Sequence, residues 1–150
     1  MIKIIRTNSE NRDFIDLVKL LDADLAIRDG EDHPFYAQFN TIDKIRYVVL
    51  AYEDEEPLGC GAIKEYGAET MEIKRMYVLP ASRKKGIATK ILSELEKWAS
   101  ELLCAKCILE TGKKQPEAIG LYKRNGYSLI PNYGQYAKME NSVCFEKVLK

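Results

Sequence analysis

The chain has 150 residues and 17.2 kDa, a length that suits one compact domain with a single core. Lys plus Arg number 23 and Asp plus Glu 23, so the basic field that draws general nucleic-acid binders onto phosphate backbones is missing. Any anion site must be local. With 46% hydrophobic and 31% charged residues the composition is that of a folding globular chain.

No stretch approaches the ~20 apolar residues of a membrane span, and the start, Met1-Ile2-Lys3-Ile4-Ile5-Arg6, has no signal-peptide pattern. A cytoplasmic protein is expected, with Cys60, Cys104, Cys107 and Cys144 reduced. Cys104 and Cys107 follow a helical pattern rather than opening a helix after a strand, and the only histidine, His33, is remote in sequence. Packing, not metal or redox chemistry, is their expected role.

Ile2, Ile4 and Ile5 among polar neighbours predict a first strand, and Asn8 or Ser9 can cap a helix carrying Phe14, Leu17, Val18, Leu21 and Leu25. Residues 28–43, broken by Gly30 and Pro34, read as a loop with a short helical piece that can line a site. Residues 46–52 and 58–66, joined by an acidic turn, form a hairpin. Residues 70–78 add a neighbouring strand, with Met71, Ile73 and Tyr77 alternating against Glu72, Lys74, Met76 and Val78.

From Gly86 the period changes to that of a helix, with Ile87, Ile91, Leu92, Leu95, Trp98, Ala99 and Leu102 as its apolar stripe. A short strand over 106–110 follows, then a helix with Pro116 near its first position, stopped at Asn125-Gly126. Strands over 127–130 and 143–148 complete the chain. No repeat or linker interrupts residues 1–150, which read as one domain ordered β-α-(α)-β-β-β-α-β-α-β-β.

The segment richest in chemistry is Met76-Tyr-Val-Leu-Pro-Ala-Ser-Arg-Lys-Lys-Gly-Ile-Ala88, where a strand end and a basic loop precede a strong helix. Free amides and the dipole at that helix start favour an anion, and Gly86 lets it approach the backbone. The dinucleotide pattern GxGxxG and the P-loop are both absent. Arg83-Lys84-Lys85-Gly86-Ile87-Ala88 resembles the acyl-CoA signature (Arg/Gln)-x-x-Gly-x-(Gly/Ala) of the GCN5-related N-acetyltransferases. Met76-Tyr77-Val78-Leu79-Pro80 and Ala118-Ile119-Gly120-Leu121-Tyr122-Lys123-Arg124-Asn125-Gly126-Tyr127 are similar to further segments of that family. Two positions depart from its pattern: Lys84 stands where many members have glycine, and Gln115 or its neighbours where many have asparagine.

The resemblance implies an α/β (α+β) GNAT-like fold: a mixed, mostly antiparallel sheet with a splayed strand pair and helices on both faces. It implies acetyl-CoA as co-substrate, its diphosphate on the backbone of Arg83, Lys84, Lys85, Gly86, Ile87 and Ala88, and its pantetheine arm along Met76, Tyr77 and Val78. Lys84, Lys85 or Lys114 would meet the 3′-phosphate, each with a solvated lysine as the alternative.

Tyr122 matches the tyrosine that protonates the CoA sulfur in many members; the alternative is a core tyrosine. Glu72, eleven residues before Arg83, is similar in spacing to the general base of the family's histone-acetylating branch, its alternative being a carboxylate paired with Lys74 or Arg75. Glu110 and His33 are weaker candidates for that role. Asp29, Glu31, Asp32, Tyr133 and Tyr136 would suit a cationic or polar amine, with solvated turns as the alternative.

The function these residues imply is N-acetylation of a small amine or amino-acid-like metabolite by direct transfer, since no cysteine sits at the helix entry. A non-catalytic acyl-CoA-binding regulatory module and a protein-lysine or N-terminal acetyltransferase are the alternatives. No metal, nucleic acid or membrane partner is expected, and a homodimer is left open.

Overall fold

The computed structural model describes residues 1–37 and 44–149. Strand β1 (Ile2–Thr7) leads into helix α1 (Arg12–Asp29), whose N-cap is Asn11 rather than Asn8 or Ser9. The Asn11 Oδ1 accepts from the amides of Asp13 at 2.9 Å and Phe14 at 3.3 Å. Ser9 instead exchanges two 2.9 Å hydrogen bonds with the backbone of Ile45, pinning the chain at both ends of the segment between them. Helix α1 runs through the predicted loop start to Asp29, where Gly30 ends it with a positive φ of 56°. A 3₁₀ turn (Gly30–Asp32) and the five-residue α2 (His33–Ala37) follow.

Strands β2 (Tyr47–Glu53), β3 (Glu56–Gly67) and β4 (Thr70–Val78) form an antiparallel meander beside β1. Helix α3 (Ile87–Glu101) then leads to β5 (Lys106–Gly112), α4 (Pro116–Arg124), the short β6 (Ser128–Ile130) and β7 (Ser142–Val148). The sheet order is β1-β2-β3-β4-β5-β7-β6, and only β4 and β5 run parallel. This is a mixed α/β, mostly antiparallel sheet with helices on both faces, as the sequence predicts.

Helix packing follows the alternation of the strands. Val49 and Ala51 of β2 face α3, whose Ile87, Ile91, Leu92, Leu95 and Ala99 are buried against the sheet. Val48 and Leu50 face the other way, onto Phe14, Leu17, Val18 and Leu21 of α1. Each fully buried aliphatic side chain contributes about 1.5–3 kcal/mol, so these two stripes anchor their helices to opposite sides of β2 and β3.

Strand β4 departs from the predicted alternation. Ala62 pairs with Lys74 and Cys60 with Tyr77, so Gly61 opposes two residues, Arg75 and Met76. This is a β-bulge, with Arg75 at φ 61°. The extra residue moves Tyr77 onto the α1 face with Cys60 and Ala62, while Met71, Ile73, Met76 and Val78 share the α3 face. The expected face-sharing of Glu72 with Met76 and Val78 is thereby overturned: Glu72 pairs across Lys64 on the face of Lys74 and Tyr77. An ion pair from Arg75 Nη1 to Asp22 of α1 at 3.1 Å holds the bulge, and Cys60 Sγ donates to the Arg75 carbonyl at 3.3 Å.

Already before the bulge, after Glu72, β4 leaves β5. Their pairing covers Thr70 with Lys106, Met71 with Cys107 and Glu72 with Ile108 only, whereas β4 continues on β3 to Val78 and β5 continues on β7 to Gly112. The resulting wedge is the expected strand splay.

Gly61 is what lets α3 and the bulged residue approach together. A Cβ at Gly61 would lie 2.5 Å from Met76 Sδ and 2.9 Å from Ile91 Cγ2. Gly61→Ala is therefore expected to destabilise the protein by about 1–3 kcal/mol through overpacking. Urea denaturation checks this, and a change below about 0.5 kcal/mol would contradict the close approach.

Candidate active site

The wedge between β4 and β5 opens into two cavities. The larger, about 520 Å³, is bounded by the end of β4, the loop before α3, the first turn of α3 and one side of α4. Its floor is the N-terminus of α3, which has no side-chain cap. The first helical hydrogen bond runs from the Lys90 amide to Gly86 O at 3.1 Å, so the amides of Ile87, Ala88 and Thr89 precede the helical ladder. Lys84 at φ 66° and Gly86 at φ 78° turn the loop through left-handed conformations, which aim successive amides at one side, an anion-binding arrangement.

Arg83 is occupied with its own backbone. Its Nε donates to the Val78 carbonyl at 2.8 Å and its guanidinium lies 5.5 Å from the Tyr77 ring, tying the loop to the end of β4. Met76, Tyr77, Val78, Arg83, Lys84, Gly86, Ile87 and Ala88 line this cavity, whereas Lys85 is exposed and outside it. Lys114 lies elsewhere, beside Asp29 and Asp32 in a small side cavity. Arg124 is a further cation at the large cavity, which sequence reasoning missed because its neighbourhood is made by α4 folding back over the loop. Asp24 and Arg28 of α1 reach the same rim, where Arg28 pairs with both Asp24 and Glu117 of α4.

The smaller cavity, about 90 Å³, lies between the last turns of α1, the middle of β4 and the end of β5. Leu21, Met76 and Tyr122 line both cavities and mark their junction. Tyr122 comes from α4, its ring packed edge-on against Tyr127 at 5.6 Å and tilted against Phe145 at 6.3 Å. Burial, and secondarily the Glu110 carboxylate, push its phenol above the ordinary tyrosine range, so it is a protonated donor at neutral pH.

Three carboxylates face the smaller cavity: Asp29, Glu72 and Glu110. Glu72 is buried and already compensated, accepting from the Tyr133 hydroxyl at 2.6 Å and pairing with Lys74 Nζ at 3.5 Å. This is the paired carboxylate weighed as its alternative. Glu110 is different: burial raises it to about 7, with the Asp29 and Glu72 carboxylates adding to the rise and Ser142 and Lys74 opposing it. Its charge changes near neutrality.

Asp29 and Tyr136 line the cavity together with Tyr36, whose ring stacks on Tyr136 at 6.3 Å. Tyr133 contributes through Glu72 and through edge contact with Tyr66 at 5.1 Å. Asp32 is held by the Asn141 amide at the side cavity, and Glu31 is exposed and lines neither main cavity. The side chain of His33 and residues 38–43 lie outside the described residues. Among the described residues no cluster of His, Cys, Asp or Glu could hold a metal. All four cysteines are free and buried, with Cys60 and Cys107 pushed up to about 12 by burial.

Comparison with known proteins agrees with this geometry. A family model described as the acetyltransferase (GNAT) family matches residues 14–127. The uncharacterized N-acetyltransferase YjgM of Escherichia coli K12 is 38% identical over 86 residues; the match spans 56% of this chain and 52%, about half, of that protein. A Klebsiella pneumoniae protein provisionally classed as an acyl-CoA N-acyltransferase superposes with a TM-score of 0.83 at 30% identity, over 100% of this chain and 99% of the other. YncA of Salmonella typhimurium, solved with its cofactor acetyl-CoA, has the same fold, with a TM-score of 0.71 at 14% identity over 100% of this chain and 95% of its own.

The raised Glu110 has a stability consequence. Its folded value, about 7, exceeds the ordinary 4.5, so the folded state holds an extra proton between those pH values and stability falls as pH rises through them. The rise corresponds to about 3 kcal/mol at full ionisation. Glu110→Gln removes this loss, so its stability relative to the parent is expected to improve between pH 5 and pH 8. Urea denaturation at both pH values reads the difference; an unchanged difference would show that Glu110 ionises normally.

Proposed function

The chain belongs to the acetyltransferase (GNAT) family, and we propose that it is an N-acetyltransferase with acetyl-CoA as its co-substrate, acetylating the primary amine of a small molecule or amino-acid-like metabolite by direct transfer in a ternary complex. The observation that carries this reading is the meeting of an amide-floored cavity and a carboxylate-lined one at Tyr122. Anionic phosphates suit the first, with the α3 amides, Lys84 and Arg124 around it. A cationic amine suits the second, whose volume of about 90 Å³ favours a compact acceptor.

In the reaction the acceptor ammonium first loses a proton, which Glu110 takes as general base; Glu72 is already engaged with Lys74 and Tyr133 and helps to keep Glu110 basic. The neutral amine attacks the thioester carbonyl, polarised by the backbone amide near Val78. As the carbon–sulfur bond breaks, Tyr122 donates its proton to the sulfur and regains one from the newly formed amide nitrogen through the site. The products are the acetylated amine, CoA thiol and one proton released from Glu110. A covalent acetyl-enzyme is not part of this reading, because burial keeps the cysteine thiols protonated.

Tyr122→Phe is expected to lower kcat by about 10²-fold while the KM for acetyl-CoA changes little. Initial rates of CoA release with a panel of small primary amines measure both. Binding of acetyl-CoA without CoA release from any amine would overturn the enzymatic acceptor reading in favour of a binding module. The pH profile of kcat/KM is expected to rise through an acidic limb near pH 7, because Glu110 must be ionised to act, and that limb should vanish in Glu110→Gln.

A further inference from the structure

Ser142 opens β7 directly across from Gly112, and Cys144 lies across from Glu110. Residues two apart on a strand share a face, so Ser142 and Glu110 are diagonal neighbours on the side of the sheet that bounds the smaller cavity. The Ser142 side chain is buried, and its Oγ lies 2.7 Å from the Tyr36 hydroxyl of α2. Its backbone is fixed as well: the amide donates to Met139 O at 3.1 Å and the carbonyl accepts from Asn132 Nδ2 at 3.0 Å. A serine hydroxyl has one proton to give. Where Tyr36 donates to Ser142, that proton is free for the neighbouring Glu110 carboxylate, whose charged form a Ser142 hydrogen bond favours.

We propose that Ser142, oriented by Tyr36, is a positioning residue for acetyl transfer: it donates to the ionised Glu110 carboxylate and holds the base toward the acceptor ammonium. The inference rests on Glu110 being the base. The hydroxyl chain serves both charge states. Tyr36 donates to Ser142 and Ser142 to the carboxylate before proton transfer; afterwards both hydroxyls turn, with Glu110 donating to Ser142 and Ser142 to Tyr36.

The other charged groups around Glu110 separate cleanly from this effect. Asp29 from α1 and Glu72 from β4 oppose its ionisation, Lys74 favours it, and Arg75 is paired with Asp22. Tyr36, Tyr122, Tyr136 and Cys144 also face it, and burial pushes each above its ordinary value, so all four are neutral near pH 7. Removing the Ser142 hydroxyl therefore withdraws a donor that favours the charged form, and the carboxyl should titrate at higher pH.

The test uses the full chain in two measurements: a carbon-13 NMR titration of labelled glutamate carboxyls, with Glu110 identified by its absence in Glu110→Gln, and the pH profile of kcat/KM with the fastest amine of the panel. Ser142→Ala is expected to raise both the titration midpoint and the acidic limb by about one pH unit, and Ser142→Thr, which keeps the hydroxyl, to restore them. Tyr36→Phe leaves β7 intact and should move both in the same direction by less. A midpoint unmoved in Ser142→Ala or, should that variant not fold, in Tyr36→Phe overturns the inference while leaving the base assignment standing. An acidic limb that survives Glu110→Gln overturns the base assignment itself.

Discussion

Between Glu72 and Val78, strand β4 keeps its hydrogen bonds to β3 while its parallel partner β5 turns away with β7. Past the last β4–β5 pair, the extra residue at Arg75 changes which side chains of the strand end share a face. Gly61 opposite the bulge admits Met76 and Ile91 at distances no side chain would allow, and the Arg75–Asp22 ion pair fixes the bulge to α1. The faces of Met76, Tyr77 and Val78, and with them the junction of the two cavities at Met76, follow from this local break.

The wedge divides the molecule's electrostatics. Equal numbers of acidic and basic side chains leave no net field, yet one cavity is bounded by free helix-start amides, Lys84 and Arg124, and the other by Asp29, Glu72 and Glu110. Within the second cavity the carboxylates are not equivalent. Glu72 lies where β4 and β5 still pair, close to Lys74 and Tyr133, whereas Glu110 lies past the divergence, half-buried near Asp29 and Ser142. Two glutamates on neighbouring strands thus have different partners because they stand on either side of the point where the strands part.

Much of the fold was legible in the chain. The apolar stripe of α3, Pro116 at the start of α4, Gly126 after its end and the alternating hairpin strands all express local rules of period, capping and backbone freedom. The basic loop before α3 was legible for the same reason, since a helix start exposes its amides wherever it occurs. The cap of α1 was misplaced by three residues from Asn8, because Ser9 bonds to Ile45, a partner 36 residues away. The alternation of β4 failed at Tyr77 because a bulge is a relation between two strands: nothing in residues 70–78 alone says that Gly61 will face two of them.

The amino-acid sequence by itself determined the element order, the anion-binding helix start and the presence of Tyr122 near the end of the second half of the fold, because these depend on residues close together along the chain. The identity of the titrating carboxylate, the recruitment of Arg124 and the Tyr36–Ser142 contact were decided only by the tertiary structure. Burial and the charges of neighbours set a carboxyl's proton affinity, and those neighbours are brought in by α1, α2, β4 and β7. The pattern along one strand carries no record of them.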